Sequence, residues 1–295
     1  RRVPDHCRCR VIFERFEGHR FDIFPFGGMC IWADYVHSFQ YGERWLAVWV
    51  VFWVHLVGTW TSCGVFKLAE YMGFWQKYRL PRDRPDMDPN LPQNRKRDRW
   101  AIFEQVLGTV LFVPMFIYVV FPYMQLAGVE IATEIPGIRK LSLDIVIMIL
   151  GCDTLFYWIH RGFHHPLLYR FHKKHHEYKA TNVWASEYFD PLDLVANILP
   201  GVLPGVLIKT HFITLMAFTL IRSWQSIQAH SGYDLPFDPF QRGPFWKAAS
   251  RHDFHHSHNM GCYGDFTNFW DYVCGTDVHY KKYLEQCRLA RKKDD

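Results

Sequence analysis

Residues 153–180, DTLFYWIHRGFHHPLLYRFHKKHHEYKA, place two knots of histidine directly after a long apolar run. At 100° per residue on a helix, His160 and His164 lie on one face a turn apart, while His165 swings well away. His172, His175 and His176 are likewise expected to share a face. A third knot, HDFHHSH at 252–258, sets His252, His255 and His256 in the same relation. Each box is therefore expected to present two or three imidazoles to a common point. The chain has 17 histidines, and at that content an HxxHH pattern arises by chance about 0.06 times per chain. Two copies beside an HxxxH therefore point to a built site. The scattered histidines read otherwise: His6, His19, His37 and His279 as surface residues, His55 and His211 as buried polar contacts, and His258 as lying outside the core pattern.

The number of imidazoles separates the candidate metals. A zinc site takes three or four ligands. Eight candidates, with His230 as a ninth, exceed what one ion can use, and they suit two. Imidazole also suits iron. Soluble di-iron bundles rely on Glu-x-x-His motifs from paired helices, and none stands out here. The expected class is therefore an all-histidine di-iron centre in a membrane protein. Asp153 lies seven residues before His160, two turns back on the same face, where its carboxylate is expected to orient a ligand imidazole. Asp253, Glu177, Glu187 and Asp190 are weaker candidates for that role, each equally suited to capping or solvation. Trp158, Trp184 and Tyr188 are candidates to line an apolar substrate tunnel.

Outward from the histidines, 45–66, 106–128 and 141–159 are apolar runs of the length that crosses ~30 Å of hydrocarbon as a helix. The Lys- and Arg-rich loop between the first two is expected on the cytoplasmic side, so the third span returns His160 to that face. The basic N-terminus (Arg1, Arg2, Arg8, Arg10) fits a single crossing by 45–66 poorly, which leaves a hairpin open for that segment. A fourth stretch, 194–222, contains Pro200, Pro204 and Lys209 and is expected to form two half-length helices that dip in and return. The fold class is thus all-α, an integral-membrane helical bundle with a cytoplasm-facing, histidine-rich di-metal catalytic part. Two regions are expected: 1–100, with the first membrane segment and the basic loop, and 101–295, with the catalytic part and the remaining segments.

Composition agrees. Aromatic residues make up 18% of the 295, clustered beside the apolar runs, while a mean hydropathy of -0.14 requires a sizeable polar portion as well. The net charge of +5 lies in patches near the spans and forms no nucleic-acid stripe. The 8 cysteines, Cys7 and Cys9 included, show no CxxC pair and read as scattered reduced thiols. Lys292 and Lys293 stand where a dilysine retrieval signal would, so the endoplasmic-reticulum membrane is the expected location. The start at Arg1 without an initiator Met leaves a mitochondrial membrane as the alternative.

The order HxxxH, HxxHH, HxxHH resembles the fatty acid hydroxylase superfamily, which includes sterol desaturases and sterol C-4 methyl oxidases. The resemblance runs from about Lys77 to Tyr283, through KYRLPRDRPD (77–86), residues 153–180, SEYFDPLD (186–193), HSGYDLPFDPF (230–240), RHDFHH (251–256) and FWDYVCGTD (269–277). HSGYDLP followed by RHDFHH is closest to the C-4 methyl oxidase branch. The resemblance implies metal ligation by His160, His164 or His165, His172, His175, His176, His230, His252, His255 and His256. It implies two iron ions, O2-dependent oxidation of a sterol C-4 methyl group, and electrons from NAD(P)H through cytochrome b5 or a reductase, since no HPGG-type redox module is encoded. Two other outcomes fit the same residues: a different sterol or acyl-chain hydroxylase or desaturase, and a non-catalytic membrane subunit that keeps the fold.

Overall fold

The computed structural model describes residues 27–82, 85–238 and 249–294. Within them the chain is helical, with no strand beyond one isolated bridge between Arg79 and Tyr233. Arg1 to Arg10, Cys7, Cys9, His6, His19 and the Pro239–Phe240 end of HSGYDLPFDPF lie outside the described residues. The short α1 (Gly27–Ser38) leads into α2 (Glu43–Tyr71). Helices α3 (Pro92–Leu107) and α4 (Val113–Leu126) are joined through a π-helical turn, Gly108–Phe112, into one rod of 35 residues. Pro114, which has no N–H to donate, stands just past Val113 after this turn, and the wider turn accommodates it without ending the helix. Next come α5 (Ile138–Phe163), α6 (Tyr169–His172), α7 (Pro191–Leu207) and α8 (Phe212–His230). The chain closes with α9 (Ala249–His258), α10 (Phe269–Cys274) and α11 (Val278–Asp294).

Among the described residues, three elements are long and apolar enough to cross a bilayer: α2 with 29 residues, the α3–α4 rod with 35 and α5 with 26. They contain the first and third runs read from the sequence whole and the second, 106–128, as far as Leu126. The first is one unbroken helix, so the hairpin does not form. The rod's most apolar stretch is only 11% buried, with Val110, Leu111, Met115 and Val119 exposed, which makes it the most lipid-facing element. The fourth stretch breaks at 208–211, as its composition demands. Lys209 takes a φ of 51°, and the His211 Nδ1 caps α8 by accepting from the Ile213 N–H at 3.1 Å. Pro200 and Pro204, by contrast, stay inside a continuous α7. Both are buried, and at Gly151 of α5 an added Cβ would stand 2.9 Å from the Pro204 Cβ, so the two helices approach through small contacts. Lipid tails are as apolar as leucine, so such close packing, rather than burial from water, holds spanning helices together.

Helix α8 is the central post, packed against α2, α5, α7 and α9, while α2 also packs on α4 and α5 on α7. One end is filled by Leu46, Phe121, Met148, Phe212 and Phe218. At the other, Phe66 of α2 and Ile227 of α8 meet Val183, Tyr233 and Leu235 from the connecting segments. The histidines gather at this second end.

Candidate metal centre

Nine histidines converge in two nests. His160, His164, His172, His176 and His255 form one, and His175, His230, His252 and His256 the other; within each, the donor nitrogens lie within 4.8 Å of one another. Eight of the nine are at most 5% exposed, and His164 is partly buried. The shared-face expectation for the second box is corrected here. Helix α6 ends at His172 and a 3-10 turn begins at His175, so His172 and His176 enter the first nest and His175 the second. Helix α9 straddles the pair. His252 and His256, one turn apart, face the second nest, while His255, 100° round from His256, faces the first.

His164 and His165 are now separated. His164 caps α5 with helical backbone angles (φ -81°, ψ -5°), keeps phase with His160 and joins the first nest. His165 is exposed, its Nδ1 near the Leu167 N–H at 3.4 Å, and belongs to neither nest. His258 is also outside, stacked on Phe254. His55 sits beside Glu187 at 3.2 Å and His211 faces the Ala132 carbonyl at 3.1 Å, both as polar contacts.

The outer nitrogens are anchored. Nδ1 donates to the Tyr263 carbonyl from His160 (3.0 Å), to the Asp193 carboxylate from His172 (2.8 Å) and to the Ser226 carbonyl from His230 (2.7 Å). His255 and His256 do the same to the Gly261 and Tyr178 carbonyls, at 2.6 and 2.9 Å. A neutral ring whose Nδ1 carries the proton exposes a lone pair at Nε2. In the first nest the Nε2 atoms of His160 and His172 then face each other at 3.1 Å with lone pairs on both sides, an arrangement that a cation between them stabilises. Bonds of ~2.1 Å to one ion put neighbouring nitrogens ~3.0 Å apart at right angles and ~3.4 Å at the tetrahedral angle. Three observed separations fit, 3.1 Å for His172 and His176, 3.2 Å for His252 and His256 and 3.4 Å for His175 and His230, while His230 and His252 stand closer, at 2.7 Å. The buried Nε2 atoms of His164 and His255 have no hydrogen-bond partner. Burial, reinforced by neighbouring imidazoles, keeps His175, His176, His255 and His256 well below the usual histidine range and pulls His164 down to about 3. These five rings are thus neutral, as ligation requires.

The carboxylates fall out differently from the sequence expectation. Asp153 accepts from the Thr267 N–H at 2.8 Å and from the Thr267 hydroxyl, tying α5 to the segment before α10. A carboxylate that does meet a nest histidine is Asp193, in the first turn of α7, which sequence reasoning passed over; an acid opening an apolar helix was its available signal. Asp253 clamps Arg82 (2.9 Å) and the Thr181 hydroxyl (2.7 Å), Asp190 caps α7, Glu177 accepts from Tyr188, and Glu187 contacts His55 and Thr59.

Beside the nests lies a cavity of about 550 Å³, walled mainly by apolar side chains of α2, α4, α7 and α8 with the π turn. Its wall includes Leu107, Leu111 and Met115, which also show on the outer surface, so it opens sideways toward lipid. Phe112, Phe116, Phe121, Phe189, Phe212 and Phe218 supply its aromatic lining; Trp158 stands on the outside of α5, and Trp184 and Tyr188 pack around Ala185. A smaller space of about 20 Å³ lies among His160, His172, His175, His230 and His252, touching both nests. A single water needs ~10–15 Å³. Phe189, Asn197 and Ser226 line both cavities.

A helical membrane bundle with two histidine nests beside an apolar chamber has the donors of a metal site next to space for an apolar molecule, and comparison with known proteins gives the family. The fatty acid hydroxylase family model matches residues 145–276, which carry all nine nest histidines. A putative methylsterol monooxygenase of Dictyostelium discoideum is 31% identical over 90% of this chain and 96% of its own length. Methylsterol monooxygenase 1 of Rattus norvegicus is 30% identical over 77% and 76%, and a C-4 methylsterol oxidase of Candida albicans 25% identical over 84% and 80%. The chain belongs to the fatty acid hydroxylase family and is an oxidoreductase of the monooxygenase type. No solved structure matches it.

Proposed function

We propose that this protein oxidises the C-4 methyl group of a membrane sterol with O2, at two iron ions held by the two nests. One observation carries the reading: nine buried histidines divide into groups of five and four against a lipid-opening chamber of about 550 Å³. That volume lies in the ~300–1,000 Å³ range of cavities that enclose drug-sized ligands. The relatives' printed activities supply the methylsterol and its C-4 position. The metal pair would supply activation of O2 and oxidation of an unactivated C–H bond. The chain holds His160, His172, His230, His255 and His256 in one tautomer through their Nδ1 partners, keeps bulk water from the nests by burial, and presents the substrate edge-on through the gap at Phe189, Asn197 and Ser226. Electrons come from NAD(P)H through cytochrome b5 or a reductase. The nest end faces the cytoplasm from the endoplasmic-reticulum membrane, consistent with the basic loop between α2 and α3 lying at that end.

The test is expression in a host lacking its own C-4 methyl oxidase, with sterol profiling and metal analysis. Loss of accumulated 4-methylsterols together with iron in the purified protein is expected. Unchanged sterols with a fully metal-loaded protein would overturn the substrate, and a protein holding a single ion would overturn the paired centre.

A further inference from the structure

An oxidation at C-4 places the neighbouring C-3 oxygen of a sterol within about 3 Å of the reacting methyl group. The group that binds this oxygen must therefore line both the apolar chamber and the small space between the nests. Phe189, Asn197 and Ser226 do so, and Asn197 alone among them carries a side-chain amide. His55 and Glu187 line the chamber only and bind each other.

Asn197 sits in the apolar stretch LDLVANILPG of α7, where a polar side chain facing lipid is costly. It is one turn beyond Asp193, which holds His172, and one turn before Gly201. One face of α7 thus passes from the histidines to the junction and then to the chamber. The Asn197 Oδ1 accepts from the Arg222 Nη2 at 3.3 Å, and Arg222 is itself braced by Asp265 at 3.5 Å. Gly201 leaves room for that arrangement, since an added Cβ would stand 3.3 Å from the Arg222 Cδ. A guanidinium has only donors, so it fixes the amide's orientation: the oxygen faces Arg222 and the NH2 faces away. Among the described residues that NH2 has no hydrogen-bond partner.

We infer that Asn197 is the anchor for the sterol's C-3 oxygen, donating from its amide nitrogen and so setting which carbon of the ring edge meets the metal pair. The inference rests on the sterol reading above. A hydroxyl and a ketone both accept from an amide N–H, so both oxidation states at C-3 are bound and a 3-deoxy compound is not anchored.

The experiment displaces a fluorescent sterol from the purified, metal-loaded full chain with three competitors: a 4,4-dimethyl-3β-hydroxysterol, its 3-ketone and its 3-deoxy counterpart. Wild type is expected to hold the hydroxy and keto compounds about 10-fold or more tighter than the deoxy compound, the scale of one buried hydrogen bond. Asn197→Leu should level the three by weakening the first two and leaving the third unchanged. Asn197→Asp keeps an acceptor for Arg222 but offers the substrate only another acceptor, so it should retain the hydroxysterol and lose the ketone. A merely structural role would shift all three together. Metal content of both variants confirms the fold, and if Asn197→Leu does not fold, Asn197→Asp decides alone. A folded variant with the wild-type preference overturns the assignment of Asn197 while the sterol reading stands. Failure of wild type to bind any of the three removes the sterol reading and the anchor with it.

Discussion

Replacing Asp193 tests how the first nest is held together. Its Oδ2 accepts the His172 Nδ1–H at 2.8 Å, with the two side chains 4% and 2% exposed. A hydrogen bond to a charged group contributes about 1.5–3 kcal/mol and a neutral one about 0.5–1.5. Asp193→Asn keeps shape and one acceptor, so it should lose about 1–1.5 kcal/mol of ligand orientation. At ~1.4 kcal/mol per decade, this is roughly 5- to 10-fold in metal affinity. Asp193→Ala removes the acceptor altogether and leaves a buried N–H unsatisfied. The loss should approach about 3 kcal/mol, or ~100-fold, the upper end for a carboxylate behind a ligand histidine. The assay is dialysis of the detergent-solubilised protein against a graded chelator series, with bound metal counted by mass spectrometry and the fold followed by circular dichroism. One of two ions should leave first, because Asp193 supports one nest only. If Asp193→Ala, still folded, holds both ions as tightly as wild type, the reasoning from His172 orientation is refuted.

Wild-type protein should carry two transition-metal ions per chain, counted by the same method, since neither nest can serve two. His164→Ala should release metal and activity, whereas His165→Ala, altering an exposed ring outside both nests, should leave the metal count unchanged. Asp153→Asn should act mainly on stability, weakening the Thr267 tie by about 1–3 kcal/mol, read as a lower melting temperature with both ions retained; metal loss without a melting shift would contradict this. Cysteines introduced beside His165 and at Lys281 should both be labelled from the cytoplasmic side of sealed microsomes, and labelling from opposite sides would reject the proposed orientation.

Much of the candidate centre was legible in the sequence because metal ligation demands a residue type at helical spacing. Three histidine knots announced a shared site, and the apolar runs announced spanning helices, since length and composition alone satisfy the bilayer. The break at 208–211 was equally legible from Lys209 and its neighbours. The prolines of α7 were misleading: two prolines four residues apart were accommodated where neighbouring helices fill the space around them.

What the sequence by itself determined was the kind of ligand, the number of candidates and the membrane setting, all of which follow from side-chain chemistry and local periodicity. Only the tertiary structure decided how the candidate ligands divide. His175 and His176, like His255 and His256, are adjacent in the chain yet serve different nests, because neighbouring residues of a helical turn point about 100° or more apart and the two nests lie on either side of the turn. His164 prevailed over His165 because the last turn of α5 carries its helical phase one residue past Phe163 and no further. The carboxylate on His172, Asp193, was not legible because a hydrogen bond of 2.8 Å there is a meeting of α6 with α7, and contacts between helices are set by packing that no local pattern encodes.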